Sequence, residues 1–185
     1  MSSDLADPIV IGLDFGGVLS ILGSARGAEH IDTTINMPNA ISNLTKLLDS
    51  TVTKRKYVFK IISYCGYPRA CQTYDALKVY PHLFNEIYFV KDRKYKAELC
   101  KYLGCHIMVD DRAEILDNVL QLNPQITTVL FGGKKSRPHV AVLDWTKLFD
   151  LIENYKFVPI EPDTTVNIRG LIHTVGNGVG HGVVR

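Results

Sequence analysis

The sequence predicts an α/β domain in which a parallel sheet is covered by helices on both faces. Short apolar runs alternate with segments whose apolar residues recur at helical spacing, an order typical of parallel strands joined by crossover helices. Acidic or polar residues end several of the runs, where a parallel sheet offers its carboxyl edge to a ligand. The 185 residues are enough for one such domain with an adequate core.

Five apolar runs are predicted to be strands. They lie near residues 8–14, 57–63, 86–90, 106–110 and 126–131. Because helical segments separate the runs, we expect the strands to pair in parallel within a single sheet.

Three segments carry apolar residues on one helical face. The first face has Ile41, Leu44, Leu47 and Leu48, the second has Ile115, Leu116, Val119 and Leu120, and the third has Trp145, Leu148, Phe149 and Ile152. Asp144 is placed to cap the start of the third helix. Gly104 is placed to end a further helix that carries Lys96. These stripes are expected to form the core rather than a ligand site.

Two segments interrupt the alternation. Residues 19–37 are polar and contain glycine without a clear period, and a loop of this length is commonly functional or mobile. The main domain is expected to span residues 1–156, followed by a C-terminal extension or arm over 157–185. Within the extension, residues 164–169 alternate like a strand or a hairpin arm. The glycine-rich end is expected to be mobile unless a partner holds it.

Composition and charge are those of an ordinary globular protein, with 46% hydrophobic residues, 22% charged residues and a net charge of +2. That charge is too small to argue by itself for a nucleic-acid or acidic-membrane partner. Basic residues cluster near 54–56, 91–96 and 134–137, either as solvated surface or as a positive rim for phosphorylated ligands. No signal peptide, membrane span or CxxC spacing is visible, so a cytoplasmic location with reduced thiols and no membrane partner is expected.

Five residues with reactive side chains stand at predicted strand ends or at a helix start. Asp14 ends the first apolar run, and Asp110 and Asp111 end the fourth. A carboxylate at the end of a buried strand is costly without a charge partner. Ser63 ends the second run, and Lys96 opens a helix. We therefore expect these side chains to meet at one edge of the sheet.

This set of side chains suits phosphoryl transfer. A carboxylate such as Asp14 can accept a phosphoryl group and divide one difficult displacement into two easier ones. Because the carboxylate and a phosphate dianion repel each other, a divalent cation is needed, and Mg²⁺ binds carboxylates together with phosphate oxygens and water. Ser63 can donate a hydrogen bond to a phosphoryl oxygen, and Lys96 can offset the negative charge.

Four segments carry a resemblance to the haloacid dehalogenase-like (HAD) hydrolase superfamily. They are Leu-Asp-Phe-Gly-Gly-Val-Leu at 13–19, Ile-Ile-Ser at 61–63, the lysine-led helix at 96–104 and Ile-Met-Val-Asp-Asp-Arg at 107–112. Their order, and the interval from the lysine to the acidic pair, agree with the family over roughly residues 8–155. The chain resembles phosphatase-type members with no cap domain or a minimal one. The resemblance implies a three-layer Rossmann-like sheet, with the second and fourth strands on either side of the first.

The resemblance also implies a role for each matched residue. Asp14 would be the nucleophile, and Lys96 would be the catalytic lysine that stabilises charge. The phosphate-binding set would be Ser63, Tyr64, Gly17 and Lys96. The Mg²⁺ ligands would be Asp14, the backbone carbonyl of Gly16, Asp110 and Asp111.

One position departs from the family pattern. The family has a second aspartate two residues after the nucleophile, which serves as general acid and base, and here that residue is Gly16. The loss of general acid catalysis typically costs about 10²- to 10⁴-fold in rate. Glu29, His30 or Asp32 in the long loop are candidates to replace the missing acid, although each is also an ordinary polar loop residue.

Three functions are therefore expected in order of preference. The first is a Mg²⁺-dependent phosphomonoester hydrolase that acts through an aspartyl-phosphate, with a phosphorylated small molecule as substrate. The second is a catalytically silent binding module that retains the fold, and the third is a phosphatase of nucleotides or nucleic-acid ends. A homodimer formed through the C-terminal arm is also plausible.

Overall fold

The computed structural model describes residues 7–21, 34–49, 51–84, 86–134, 137–176 and 182–183. The loop residues Glu29, His30 and Asp32, and most of the glycine-rich end, lie outside these ranges. No described helix has the length and apolar character needed to cross a membrane.

The fold is a Rossmann-like α/β sandwich, as predicted. Its strands are β1 Ile9–Leu13, β2 Tyr57–Tyr64, β3 Glu86–Val90, β4 Ile107–Asp110, β5 Thr127–Phe131, β6 Val140–Val142 and β7 Gly182–Val183. Its helices are α1 Ala40–Leu48, α2 Tyr67–Leu77, α3 Tyr95–Leu103, α4 Ala113–Leu122 and α5 Trp145–Glu153. The sheet order is β6-β5-β4-β1-β2-β3-β7, and β1 to β6 are all parallel. The two residues of β7 pair with β3 in the antiparallel direction.

The helices form one layer on each face of the sheet. Ile11 and Leu13 point into a core with α1, α2 and α5, and Val10 points into a second core with α3 and α4. This alternation follows from the two-residue period of a strand. A side chain at Gly12 would lie 2.8 Å from the sulfur of Met108 on β4 and 3.0 Å from Ile62 on β2, so glycine there leaves room for the side chains of both neighbouring strands.

Local signals at the helix ends agree with the sequence. The Asp144 carboxylate accepts a hydrogen bond of 2.9 Å from the backbone N–H of Lys147, which caps α5. Gly104 ends α3 with a φ of 63°, a conformation that glycine adopts without the penalty of a Cβ.

The prediction of a strand over residues 164–169 is wrong, because these residues form turns. The Asp163 carboxylate accepts hydrogen bonds from the backbone N–H and the hydroxyl of Thr165, and the Asn167 side chain accepts one from the N–H of Arg169. Such local side-chain bonds hold the backbone in turns and compete with a strand ladder. The apparent alternation arises because Ile168 packs against the α3 and α4 layer.

The described part of the extension packs along the domain. The Phe157 ring lies 5.1 Å from the ring of His106, and Lys101 Nζ lies 3.2 Å from a carboxylate oxygen of Asp163. Further along, the Lys91 N–H donates to the carbonyl of Leu171 at 2.8 Å, beside the end of β3. Residues 157–176 therefore run from the amino edge of the sheet to its carboxyl edge.

Candidate functional site

The sequence-predicted residues meet at the carboxyl edge of β1, β2 and β4. β1 pairs with β2 and β4 in registers that set Leu13 beside Ile61 and Val109. Asp14 follows Leu13, and its backbone N–H donates to the Val109 carbonyl at 3.0 Å. In the sheet, β2 and β3 lie on one side of β1, and β4, β5 and β6 lie on the other. Open α/β sheets bind ligands at such a switch point in the strand order.

Lys96 joins the two acidic strand ends. It lies in the first turn of α3, and its side chain is 1% exposed. Its Nζ lies 3.1 Å from Asp14 Oδ1 and 2.7 Å from Asp110 Oδ2. Burial alone would lower the pKa of Lys96, but the Asp14 and Asp110 carboxylates raise it above its ordinary value. The side chain is therefore a charged ammonium at neutral pH.

One ammonium does not balance three carboxylates. Oxygen atoms of Asp14, Asp110 and Asp111 all lie within 4.8 Å of one another. Burial and the neighbouring Asp14 raise the pKa of Asp110 to about 7, and the same two causes raise the pKa of Asp111. The surplus negative charge is relieved either by a proton or by a bound cation.

The turn after β1 fixes the acids in place. Asp14 Oδ1 accepts a hydrogen bond of 2.8 Å from the N–H of Phe15, and the Gly17 N–H donates to the Ser20 carbonyl at 2.8 Å. Gly17 has a φ of 77°, and a Cβ there would lie 2.3 Å from Asp111 Oδ2. Only glycine leaves room for the Asp111 carboxylate at this point.

The acidic cluster opens into a cavity of about 240 Å³. Its wall includes Asp14, Gly16, Ser63, Tyr64, Lys96 and Asp111 from the predicted set. Asp110 lies behind the wall with both oxygens engaged, because Oδ2 faces Lys96 and Oδ1 accepts from the Arg112 N–H at 3.0 Å. Gly17 contributes through the shape of the turn, since it is not part of the wall.

Two features of the cavity favour an anion. Ser63 is a buried residue that lines the wall, and its hydroxyl makes no hydrogen bond within the described ranges. The N-terminus of α2 also faces the cavity, because its N-cap Gly66 lines the wall and provides no side-chain cap. Unpaired backbone N–H groups and the helix dipole at such an end attract negative charge.

Sequence reasoning missed four polar residues of the wall, namely Arg69, Thr73, Arg93 and Arg112. Arg93 belonged to a noted basic cluster, and Arg112 directly follows the acidic pair. Arg69 and Thr73 lie four residues apart on α2, a spacing that places both on one helical face. The sequence pattern did not predict α2, so it gave no reason to place Arg69 and Thr73 in the site.

The residues present fit a bound Mg²⁺. The wall offers carboxylate oxygens from Asp14 and Asp111, and a third carboxylate from Asp110 adds negative charge from behind. Hard oxygen donors with one open side are what Mg²⁺ binds when it also holds a substrate phosphate. The cluster contains no sulfur or imidazole that would favour a softer metal.

Comparisons with known proteins carry no argument about the function of this chain. No family model and no curated protein matches the chain. The chain is similar to the solution NMR structure of a de novo designed Rossmann 3x3 fold protein, with 16% sequence identity, 81% of this chain and 96% of that chain covered, and a TM-score of 0.39. A likeness at this level says nothing about the site or its chemistry.

Proposed function

We propose that this chain is a HAD-like phosphatase, a Mg²⁺-dependent phosphomonoester hydrolase that uses Asp14 as its nucleophile. The observation that carries the proposal is the buried Lys96 ammonium between Asp14 and Asp110, with Asp111 in the same cluster beside an anion-favouring cavity. A structural ion pair needs only one acid, whereas three acids beside one ammonium are a charge arrangement that suits a cation and a phosphate together.

The residues of the wall would bind and orient the phosphoryl group. Ser63 and the N-terminus of α2 would donate hydrogen bonds to its oxygens, and Lys96 would offset the negative charge of Asp14 and of the phosphoryl group. Asp14, Asp111 and the carbonyl of Gly16 would face the cation, with Asp110 behind them. The cation, when bound, would neutralise charge on the phosphoryl oxygens.

The reaction would proceed in two displacements. An oxygen of Asp14 attacks phosphorus, the bond from phosphorus to the ester oxygen breaks, and the leaving alkoxide takes a proton from water. Water then attacks the aspartyl-phosphate, loses a proton to solvent, and releases inorganic phosphate with Asp14 restored. Asp14 Oδ1 accepts from Phe15 and faces Lys96, so Oδ2 is the oxygen left to attack.

The nucleophile is tested by Asp14→Asn. We expect release of phosphate from an aryl phosphate in Mg²⁺ to fall by at least about 10³-fold, because the amide cannot form the acyl-phosphate. Chelation of the metal should abolish the wild-type rate. The matched control is Asp75→Asn at an exposed position of α2, which should leave the rate unchanged. Equal rates in the wild type and Asp14→Asn would remove Asp14 from the mechanism.

Gly16 favours a second candidate, a binding module without turnover. Apart from the metal-binding acids, no described residue of the cavity wall carries a carboxyl or imidazole that could protonate a leaving group. The thiol of Cys65 is no substitute, because burial raises its pKa to about 12. Substrates with good leaving groups would depend least on the missing acid.

Gly16→Asp separates the two candidates. Gly16 does not have a positive φ, so an aspartate there carries no left-handed backbone strain. For the phosphatase, we expect alkyl phosphate hydrolysis to rise by about 10²-fold or more and aryl phosphate hydrolysis to rise less. Gly170→Asp, at a position with open space around it, is the control. If wild type and Gly16→Asp both bind Mg²⁺ and a phosphate mimic without hydrolysing any ester, the binding module is the better description.

A further inference from the structure

Two cationic side chains of the cavity are left over when one phosphoryl group is bound. The cavity is lined by Lys96 and three arginines, Arg69, Arg93 and Arg112. Lys96 lies between Asp14 and Asp110, and Arg112 lies 3.8 Å from Glu114. A divalent cation would offset a phosphomonoester dianion, so Arg69 and Arg93 would still have no anionic partner.

Arg69 and Arg93 form an unpaired basic side of the cavity. Neither guanidinium makes an ion pair with a carboxylate in the described part of the chain, whereas Arg112 lies 3.8 Å from Glu114. Arg69 is half-buried in the third position of α2, next to the uncapped helix N-terminus. The Arg93 guanidinium lies 5.0 Å from the centre of the Tyr64 ring, which holds it at the rim.

The basic side lies apart from the reacting position. Asp14 follows β1, Arg69 follows β2 and Arg93 follows β3, and these strands are neighbours in that order. Adjacent strands are about 4.8 Å apart, so the ends of β2 and β3, which lead to Arg69 and Arg93, lie roughly 5 Å and 10 Å from the end of β1. Two phosphoryl groups of one small molecule span such a distance. The reacting group is already provided for by Lys96 and Ser63.

We infer that the substrate is a bisphosphate, a phosphomonoester whose leaving group carries a second phosphoryl group bound by Arg69 and Arg93. This inference rests on the proposed function for the identity of the reacting group. The planar, forked guanidinium suits phosphate oxygens, and Thr73 on the same face of α2 adds a hydroxyl. The exposed ring of Tyr64 would pack against the carbon skeleton between the phosphates.

The test compares matched ligands on the Asp14→Asn protein in Mg²⁺, so that binding is measured without turnover. The pairs are fructose 1,6-bisphosphate with fructose 6-phosphate, and adenosine 3′,5′-bisphosphate with AMP. We expect at least one bisphosphate to bind about 10- to 100-fold more tightly than its partner, as for a charge-assisted bond to phosphate. The pair that shows the gain identifies a sugar or a nucleoside skeleton.

Arg69→Ala should remove most of that gain, and Lys54→Ala, at an exposed position before β2 on the opposite edge, should keep it. Absence of any preference for a bisphosphate, or a preference that survives Arg69→Ala, would overturn the inference. The proposed function is judged separately by aryl phosphate hydrolysis in wild type. Hydrolysis without a bisphosphate preference removes only the inference, and a bisphosphate preference without hydrolysis removes only the phosphatase.

Discussion

At the scale of single residues, the site depends on charge more than on shape. Lys96 is the buried cation that allows Asp14 and Asp110 to stand together at the strand ends. The three carboxylates carry more negative charge than Lys96 neutralises, so the cluster attracts protons and cations. Breaking such a buried pair by removing one partner typically costs about 3–5 kcal/mol, which ties the site to the stability of the domain.

Without metal, the free energy of unfolding should fall as pH rises from near the unfolded pKa of Asp110, 3.8, through its folded pKa of about 7. The pKa of Asp110 is raised by burial and by Asp14 from 3.8 to about 7, so the folded state holds a proton that the unfolded state has lost. One pKa unit corresponds to about 1.4 kcal/mol, and the total loss is on the order of a few kcal/mol. Urea unfolding at several pH values measures this loss of unfolding free energy.

Asp110→Asn and Mg²⁺ provide the controls for this pH dependence. The variant should flatten the fall, because the amide does not titrate. Mg²⁺ should stabilise the wild type more at pH 8 than at pH 5, since the metal binds the deprotonated acids. His106 has the opposite effect on the free energy of unfolding. Burial lowers its pKa, so the folded state favours the neutral imidazole and gains stability as pH rises. Parallel profiles for wild type and Asp110→Asn would contradict the assignment.

Gly17→Ala should weaken Mg²⁺ binding in addition to destabilising the fold through backbone strain. A non-glycine residue at this φ costs about 1–2 kcal/mol, and its Cβ would also displace Asp111. Gly132→Ala is a matched control, with a φ of 70° and open space around its Cβ. We expect similar losses of stability, with Mg²⁺ affinity by calorimetry reduced only in Gly17→Ala. Unchanged affinity in both would show that Asp111 is not needed for the metal.

At the scale of elements, periodicity revealed the strongly amphipathic parts of the chain. The five predicted strands are present, and the stripes predicted from Ile41, Ile115 and Trp145 lie on α1, α4 and α5. α2 was missed because it buries only Ala70, Thr73 and Leu77, too little for a clear apolar stripe. β6 was missed because it has three residues at the edge of the sheet. Short elements owe their form to neighbours that a local pattern does not contain.

At the scale of the whole molecule, the extension covers part of the second core. Ile168 and Ile172 are buried in the cluster formed by α3 and α4, and Val175 is buried in the opposite cluster. The extension therefore contacts one helical layer up to the carboxyl edge of β3 and the other layer beyond it.

Truncation tests how far the domain extends. Removal of residues 157–185 should lower the unfolding free energy by several kcal/mol, because burial of each large aliphatic side chain contributes about 1.5–3 kcal/mol. Removal of residues 177–185 alone should have a smaller effect, because it removes the two-residue pairing of β7 with β3 but keeps Ile168, Ile172 and Val175. Thermal unfolding followed by circular dichroism gives both values. Equal stability of the 1–156 fragment and the full chain would support a separate arm.

The sequence by itself determined the sheet, its parallel strands and the reactive side chains at their ends, because burial pattern and residue type are local properties. Only the tertiary structure decided that Asp110 stands behind the cavity wall while Asp111 faces it, and that Arg69 reaches the site from α2. Distances between residues far apart in the chain arise from register and helix packing. The presence of Arg69 and Arg93 in one cavity wall is such a property, since the two residues follow different strands.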